Sequence, residues 1–517
     1  MAIGWKLHGD GRTPPPGQVV RPDERLSWPR TAGIGAQHVV AMFGATFVFP
    51  VVMGLDPNLA IMMSGVATIL FLLIVGGRVP SYLGTSASFV GAVAAIRAGG
   101  GDSATVTGAI LVAGLVLALV GLLIHFVGGD VIHRVFPPVV TGAVVMLIGF
   151  NLAPVVADVY WPQDQWVALA TLGFAVLCAV LLRGFWARIT ILLALIFGYA
   201  LSWILDKTVG QVTSVVPGQN LLDANGRPCD AEGPYCVATA FPHDRVDFSG
   251  VEAADWFGLP SMHGPDFKTS AILLALPAVI ALLAENTGHV KAVAAMTGDD
   301  LDPVLGRAIG ADGVGTALAS AVGGAPTTTY AENIGVMAAT RIYSTAAYYV
   351  AAVVAILFGL CPKFGALIAA TPGGVLGGIT VVLYGMIGLL GAKIWVENRV
   401  DFADPVNLVP VAAGLIVAIG DVTLNVTDDF PLQGIAFGTI AVLVGYHALN
   451  ALRRPDRSGT GIIAPGEEIG GPVRRAGEEG SAGDEGSGGG DSGEKDPGEK
   501  DPGEKDAGAG SGRGGGA

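Results

Sequence analysis

Two carboxylates stand in stretches that are otherwise small and apolar. Glu285 lies in "LLAENTGHVKA", and His289 follows four residues later. On a helix that spacing puts a carboxylate and an imidazole, which titrates near neutrality, on one face. Glu332 lies in "GGAPTTTYAENIGVM", after Pro326 and the β-branched Thr327, Thr328 and Thr329, a run that favours extended backbone before a helix starts near Asn333. A helix start presents free backbone N–H groups, here beside a carboxylate. Carboxylates accept hydrogen bonds and free amides donate them, so the complementary ligand alternates N–H donors with C=O acceptors on a flat ring, as a nucleobase does. Tyr330 and Tyr384 are candidates for flat apolar walls. The competing readings are a buried structural pair for Glu285 and His289, a capping carboxylate for Glu332, and plain packing for the tyrosines. Gln37 and His38 in the first apolar run, with Asn333, are candidates for a polar layer behind the site, and a satisfied interior pair is the alternative for the first two.

The elements that must position these groups are membrane spans. The chain has 517 residues, 51% hydrophobic and only 14% charged, well below the ~25% charged usual in soluble domains. Apolar windows of about 20 residues, the length that crosses a bilayer core, recur from Gly33 to Leu449. Shorter, Gly-rich stretches lie between them, notably Tyr82 to Ala98 and Ala325 to Thr340, and counting these gives about fourteen crossings. Ionisable residues inside spans are costly and by default face a cavity or partner. The "YLGTSASF" stretch at Tyr82 to Phe89 has the same extended-then-helical character as the one before Glu332. Two half-helices starting at mid-membrane form a substrate site, because irregular backbone at that depth is tolerated only where protein or water lines it.

Net charge is −14, but Pro455 to Ala517 holds 14 acids against 7 bases and Thr208 to Phe267 holds 8 against 2, so the membrane body is nearly neutral and offers no basic face for nucleic acid. With the N-terminus inside the cell, Arg78, Arg134, Arg183, Arg188, Lys291, Arg307, Arg341, Lys393 and Arg399 all fall on the inner side, as the positive-inside rule requires, with Arg97 and Lys363 as exceptions on the outer side. The division expected is a cytoplasmic segment over 1–32, a first seven-span repeat over 33–207, an extracellular loop over 208–266, a second repeat over 267–452, and a disordered acidic Gly-rich cytoplasmic tail over 453–517 containing "GEKDPGEKDPGEKD". No apolar h-region precedes the first span, so a cleavable signal peptide is not expected. The extracellular loop holds Cys229 and Cys236, either bridged or free. A weak internal repeat aligns "VVTGAVVMLIG" at Val139 with "VLGGITVVLYG" at Val375.

In "QHVVAMFGAT", "YLGTSASF", "AENTGHV" and "TTYAENIGVMAATRIYS" the chain resembles the nucleobase/ascorbate transporter family, also called nucleobase cation symporters of the second type. The resemblance covers Gly33 to Leu452. It implies an all-α polytopic membrane protein of fourteen spans in two inverted repeats, with a core that holds the site and a gate that moves against it. It also implies proton-coupled uptake at the plasma membrane, with both termini cytoplasmic and a homodimer expected. "ENIGV" looks like the uracil type. Carried over by position, Glu285 and Glu332 accept from ring N–H groups, amides near Ala87 and Ala331 donate to ring carbonyls, His289 helps couple the proton, and Ala45 and Tyr384 line the pocket. Uracil-type members commonly have Gly in place of Ala331 and an aromatic in place of Ala87, which leaves room for a larger base. A xanthine or urate carrier is therefore the nearest rival, and an uncoupled channel or anion exchanger a third reading. No GxxxxGK[ST] loop or HExxH pair is present, so an ATP-driven pump or zinc protease is not expected, nor any cofactor or metal beyond the proton as coupling ion.

Overall fold

The structure is a computed structural model that describes residues 4–453 except 13, 15–17, 129–133, 218, 224–226, 229–235, 421, 428, 429 and 433. Cys229 lies outside the described residues, as does the side chain of Cys236 and all of the chain after Arg453.

Apolar content makes the helices, and aspartates start several of them. A first run consists of α1 (Trp28–Ala41), α2 (Pro57–Ile74), α3 (Val90–Ala98), α4 (Ser103–Val127), α5 (Pro138–Phe150), α6 (Gln165–Leu181) and α7 (Thr190–Thr208). A second consists of α8 (Pro277–Thr297), α9 (Asp302–Ala321), α10 (Ala331–Thr340), α11 (Thr345–Gly359), α12 (Gly373–Glu397), α13 (Pro405–Ile419) and α14 (Gly434–Leu452). Asp56, Asp102 and Asp164 accept hydrogen bonds from the first-turn amides of α2, α4 and α6, which stabilises each start. Among the described residues seven helices are long and apolar enough to cross a membrane, or nine if each of two bent pairs counts as one span. The half-helices α3 and α10 are too short for that measure, and α9, rich in glycine and carrying Asp312, is too polar.

The two runs pack as mirror-ordered halves. α2 lies on α11 as α9 lies on α4; α1 lies on α11 as α8 lies on α4; α5 lies on α13 as α12 lies on α6; α6 lies on α7 as α13 lies on α14. Each of these pairs maps onto its counterpart when every helix is exchanged for the one seven places along. α1–α4 with α8–α11 make one group and α5–α7 with α12–α14 the other, a core and a gate. Val139 and Val375, aligned by the sequence repeat, start the equivalent helices α5 and α12, which also pack on each other.

Glycine sets how closely helices approach. A Cβ at Gly149 would sit 2.2 Å from the Gly388 nitrogen, and one at Gly121 2.2 Å from the Gly310 nitrogen, so α5 on α12 and α4 on α9 touch backbone to backbone. The outward faces are apolar: Leu115, Leu119, Leu122, Leu123 and Phe126 of α4 are all exposed, a stripe at helical spacing that suits lipid.

At the centre, β3 (Leu83–Thr85) pairs antiparallel with β8 (Thr327–Thr329), Gly84 opposite Thr328; the loop between the halves holds the short strands β4 (Val212–Ser214), β5 (Leu221–Asp223), β6 (Cys236–Ala238) and β7 (Phe241–His243). Hydroxyls from the flanking helices satisfy the outer edges of the two-stranded β3–β8 ribbon. Thr68 of α2 accepts from the Leu83 amide at 2.9 Å, and Thr316 of α9 accepts from the Thr327 amide at 3.1 Å while donating to its carbonyl at 2.8 Å. That local supply of partners is what allows extended backbone inside a membrane protein.

Candidate functional site

β3 and β8 each run directly into a helix start. After β8, α10 begins at Ala331 with Tyr330 as its cap residue, two residues earlier than expected, and Glu332 sits in its first turn. After β3, a 3-10 turn over Ala87–Phe89 leads into α3. A carboxylate in the first turn of a helix is favoured by the free N–H groups there. Glu285 and His289 project from α8 one turn apart.

Ala87, Glu285, His289, Tyr330 and Glu332 line a single cavity of about 500 Å³, closed on the gate side by Val145 and Ile148 of α5 and Ile387 of α12. The cavity extends along α8 to Lys291 and reaches Lys393 and Glu397 at the end of α12. Glu285 Oε2 accepts from the Ser88 hydroxyl at 3.4 Å, and the Tyr330 hydroxyl donates to the Thr85 carbonyl, so this tyrosine ties one strand end to the other. Glu332 also borders a second cavity of about 340 Å³ between core and gate, with Met42, Gly335, Leu383 and Met386.

Behind the cavity runs a chain of directed hydrogen bonds. Asn286 donates through Nδ2 to Asp312 Oδ2 at 2.7 Å and to the Leu282 carbonyl at 3.0 Å, which leaves its Oδ1 as an acceptor. Thr329 donates to that oxygen at 2.6 Å. Its one hydroxyl hydrogen being used, Thr329 Oγ1 must accept from His289 Nδ1, 2.9 Å away. The ring is thereby assigned as the Nδ1–H tautomer, with the lone pair on Nε2. His38, fully buried on α1, meets Asn333 Oδ1 through Nδ1 at 2.7 Å, and its ring lies 4.4 Å from that of Tyr348.

The placement of the remaining expected residues is mixed. Ala331 supplies a backbone position at the start of α10, and Ala45 lies in the π-helical turn Gly44–Val48; the side chains of both lie outside what the structure describes. Gln37 is half-buried on α1. Tyr384 does not reach the cavity of the two glutamates: it stacks on Phe49 and lines a different cavity with Gly149, Phe150 and Val381. The sequence reading missed Asp312, Asn286 and Ser88. Asp312 carried a usable signal, an acid within the small-residue run "GADGVG", but α9 is too polar to read as a span, so the acid did not read as intramembrane.

Comparison with known proteins agrees with this architecture. A family profile described as "Permease family" matches residues 30–427. The chain is 44% identical over 441 residues to the putative pyrimidine permease RutG of Escherichia coli (strain K12), covering 84% of this chain and 92% of that protein. It is 35% identical over 444 residues to the uracil permease of Paenibacillus larvae subsp. larvae, covering 83% and 96%. Among solved structures it is similar to the murine Solute Carrier 26 family member A9 anion transporter in the inward-facing state, with a TM-score of 0.57 at 12% identity over 83% of this chain and 70% of that one. At that identity the likeness speaks for the fold alone.

Proposed function

The chain belongs to the nucleobase/ascorbate transporter family of permeases, multi-pass membrane proteins that carry nucleobases, and from that premise we propose that it takes up a pyrimidine, uracil first, together with a proton by alternating access. The observation that carries this reading is the meeting of Glu285, Glu332 and the two helix starts at Ala87 and Ala331 around one cavity. A uracil ring presents two N–H donors and two carbonyl acceptors at its edge, and two carboxylates with two sets of free amides supply the opposite pattern. His289 supports proton coupling, because it lines the cavity and its Nε2, the nitrogen not committed to Thr329, is the basic position of the ring. The names of the two relatives, a pyrimidine and a uracil permease, point to the same substrate class.

Positive-inside charge puts Lys291 and Lys393, and with them the open end of the cavity, on the cytoplasmic side, with both termini inside. This conformer is then the one that releases substrate into the cell. The test is uptake of labelled uracil into proteoliposomes with and without an imposed proton gradient, with xanthine and thymine as competitors. Accumulation only with the gradient supports the reading. Equilibration without accumulation favours a channel or exchanger, and stronger displacement by xanthine than by thymine favours a purine carrier, for which the small Ala87 leaves room.

A further inference from the structure

The two half-helices at the site are anchored differently at their far ends. α3 is held by its own Arg97, whose Nη2 donates to the carbonyls of Met53 at 3.2 Å and Gly54 at 3.0 Å and to Ser103 Oγ at 3.0 Å. α10 ends at Thr340, and Arg341 turns into the left-handed region with φ +58°. There the chain's own N-terminal segment takes over. The Val20 amide donates to the Arg341 carbonyl at 2.9 Å, and the Tyr343 amide donates to the Val20 carbonyl at 2.8 Å, forming a parallel bridge between Val20 and Ile342. Val20 is fully buried and clusters with Leu26 and Ile342 against Ile34 of α1.

The rest of the segment closes over the same end of the core. Thr345, first residue of α11, donates its backbone N–H to the Pro22 carbonyl at 3.1 Å and its hydroxyl to the same oxygen at 2.8 Å, while accepting from Trp5 Nε1 at 2.8 Å. Arg21 pairs with Asp299, just past the end of α8, at 3.1 Å, and the short strands β1 (Lys6–Leu7) and β2 (Glu24–Arg25) run parallel. One strap therefore joins the ends of α1, α8, α10 and α11, all core helices. α10 has ten residues, too few to be a stable helix on its own, and Arg341 lies nine positions beyond Glu332, about 13 Å along the axis.

We propose that residues 18–27, with 4–12, form a positioning strap for the substrate site, with Val20 the residue that fixes the far end of α10 and so holds Glu332 in register with Glu285 across the cavity. This rests on the reading of Glu332 as a substrate contact. Among the described residues, the strap's hydrogen bonds, ion pair and ring contacts go to the strap itself or to the core helices α1, α8, α10 and α11, so it acts on substrate affinity and not on the rate of the conformational step.

The experiment measures uracil binding by calorimetry and uptake kinetics on the full chain for Val20→Pro, Val20→Ile, Glu332→Gln and the Val20→Pro/Glu332→Gln double variant. Proline removes the N–H given to Arg341. Val20→Pro is expected to raise Kd and KM by roughly 5- to 30-fold, the range for losing a buried hydrogen bond and its packing. Maximum velocity per transporter stays within about twofold, and Val20→Ile binds as the wild type does. On the Glu332→Gln background, Val20→Pro adds little, because the two act through one contact. Normal binding by Val20→Pro, or a full additional loss in the double variant, overturns the proposal while leaving the Glu332 reading intact. Normal binding by Glu332→Gln overturns both. If Val20→Pro does not fold, Val20→Ala, which keeps every backbone bond and trims only the packing, takes the same test with an expected rise of about threefold, and an unchanged Kd there overturns the proposal.

Discussion

His289 and Thr329 meet at 2.9 Å, ring Nδ1 against hydroxyl oxygen, and this contact joins helix α8 to strand β8. Because Thr329 already donates to Asn286, the contact also fixes which ring nitrogen carries the hydrogen. Thr329→Val removes the acceptor and releases the tautomer. Gradient-driven accumulation of uracil should fall by about tenfold, with binding at fixed pH changed far less, and Thr329→Ser should restore it. Uptake measured against pH for the three proteins checks this; equal profiles for Thr329→Val and wild type would remove His289 from proton coupling.

Glu332→Gln replaces an acceptor-only group with an amide that also presents a donor. Mispairing with a ring N–H should cost roughly 1–3 kcal/mol, or about 5- to 150-fold in affinity. Glu285→Gln should abolish accumulation even where binding persists, since a proton acceptor is gone. Binding by purified variants alongside uptake separates the two effects, and normal behaviour of both would place the site elsewhere.

Arg245, in the loop between the two halves, sits between Asp164 at the start of α6, 2.6 Å away, and Asp206 at the end of α7, 3.0 Å away, with all three side chains at most 10% exposed. Arg245→Met strands two buried carboxylates, which should cost about 3–5 kcal/mol. Thermal unfolding in detergent should show a clear drop, and adding Asp164→Asn and Asp206→Asn should recover part of it. An unchanged midpoint for Arg245→Met would mean the cluster contributes little.

Gly149→Ala pushes a Cβ to 2.2 Å from the Gly388 nitrogen and 2.5 Å from the Tyr384 carbonyl. Both contacts are backbone, so α5 and α12 must separate, at a cost of roughly 1–3 kcal/mol or more. Gly173→Ala, with nothing within 4 Å of its Cβ, should be neutral or stabilising. Midpoints that do not differ would argue against close packing at this crossing.

Glu24 gives the strap a pH dependence. Burial pushes its carboxyl up, but the Arg21 amide and the His8 ring outweigh that and hold it below its ordinary value of 4.5. The folded value is therefore lower than the unfolded one. The stabilisation is present above the unfolded value and is lost as pH falls through the depressed folded value. Hydrogen exchange at Lys6 and Val20, corrected for intrinsic rates, should lose protection on acidification below about pH 4.5 in the wild type and show no such step in Glu24→Gln.

Apolar windows and their interruptions were legible in the sequence because a bilayer admits few solutions: long apolar runs become helices, and Pro326 with three threonines breaks one where a helix then restarts. Glu285, His289 and Glu332 were legible for the same reason, since ionisable groups stand out against such a background. The antiparallel pairing of Gly84 with Thr328 was not legible, because it joins segments from different halves of the chain. Only the fold could turn Tyr384 toward Phe49 and away from the two glutamates, since helical spacing fixes a residue's face but not which neighbour that face meets. Asp312, Asn286 and Thr329 form a hydrogen-bonded chain to His289 through contacts between α8, α9 and β8, whose spacing in the chain carries no record of distance in space. The strap is the clearest case: its sequence reads only as a cytoplasmic segment before the first span, and only the end of α10, more than three hundred residues away, gives Val20 a partner.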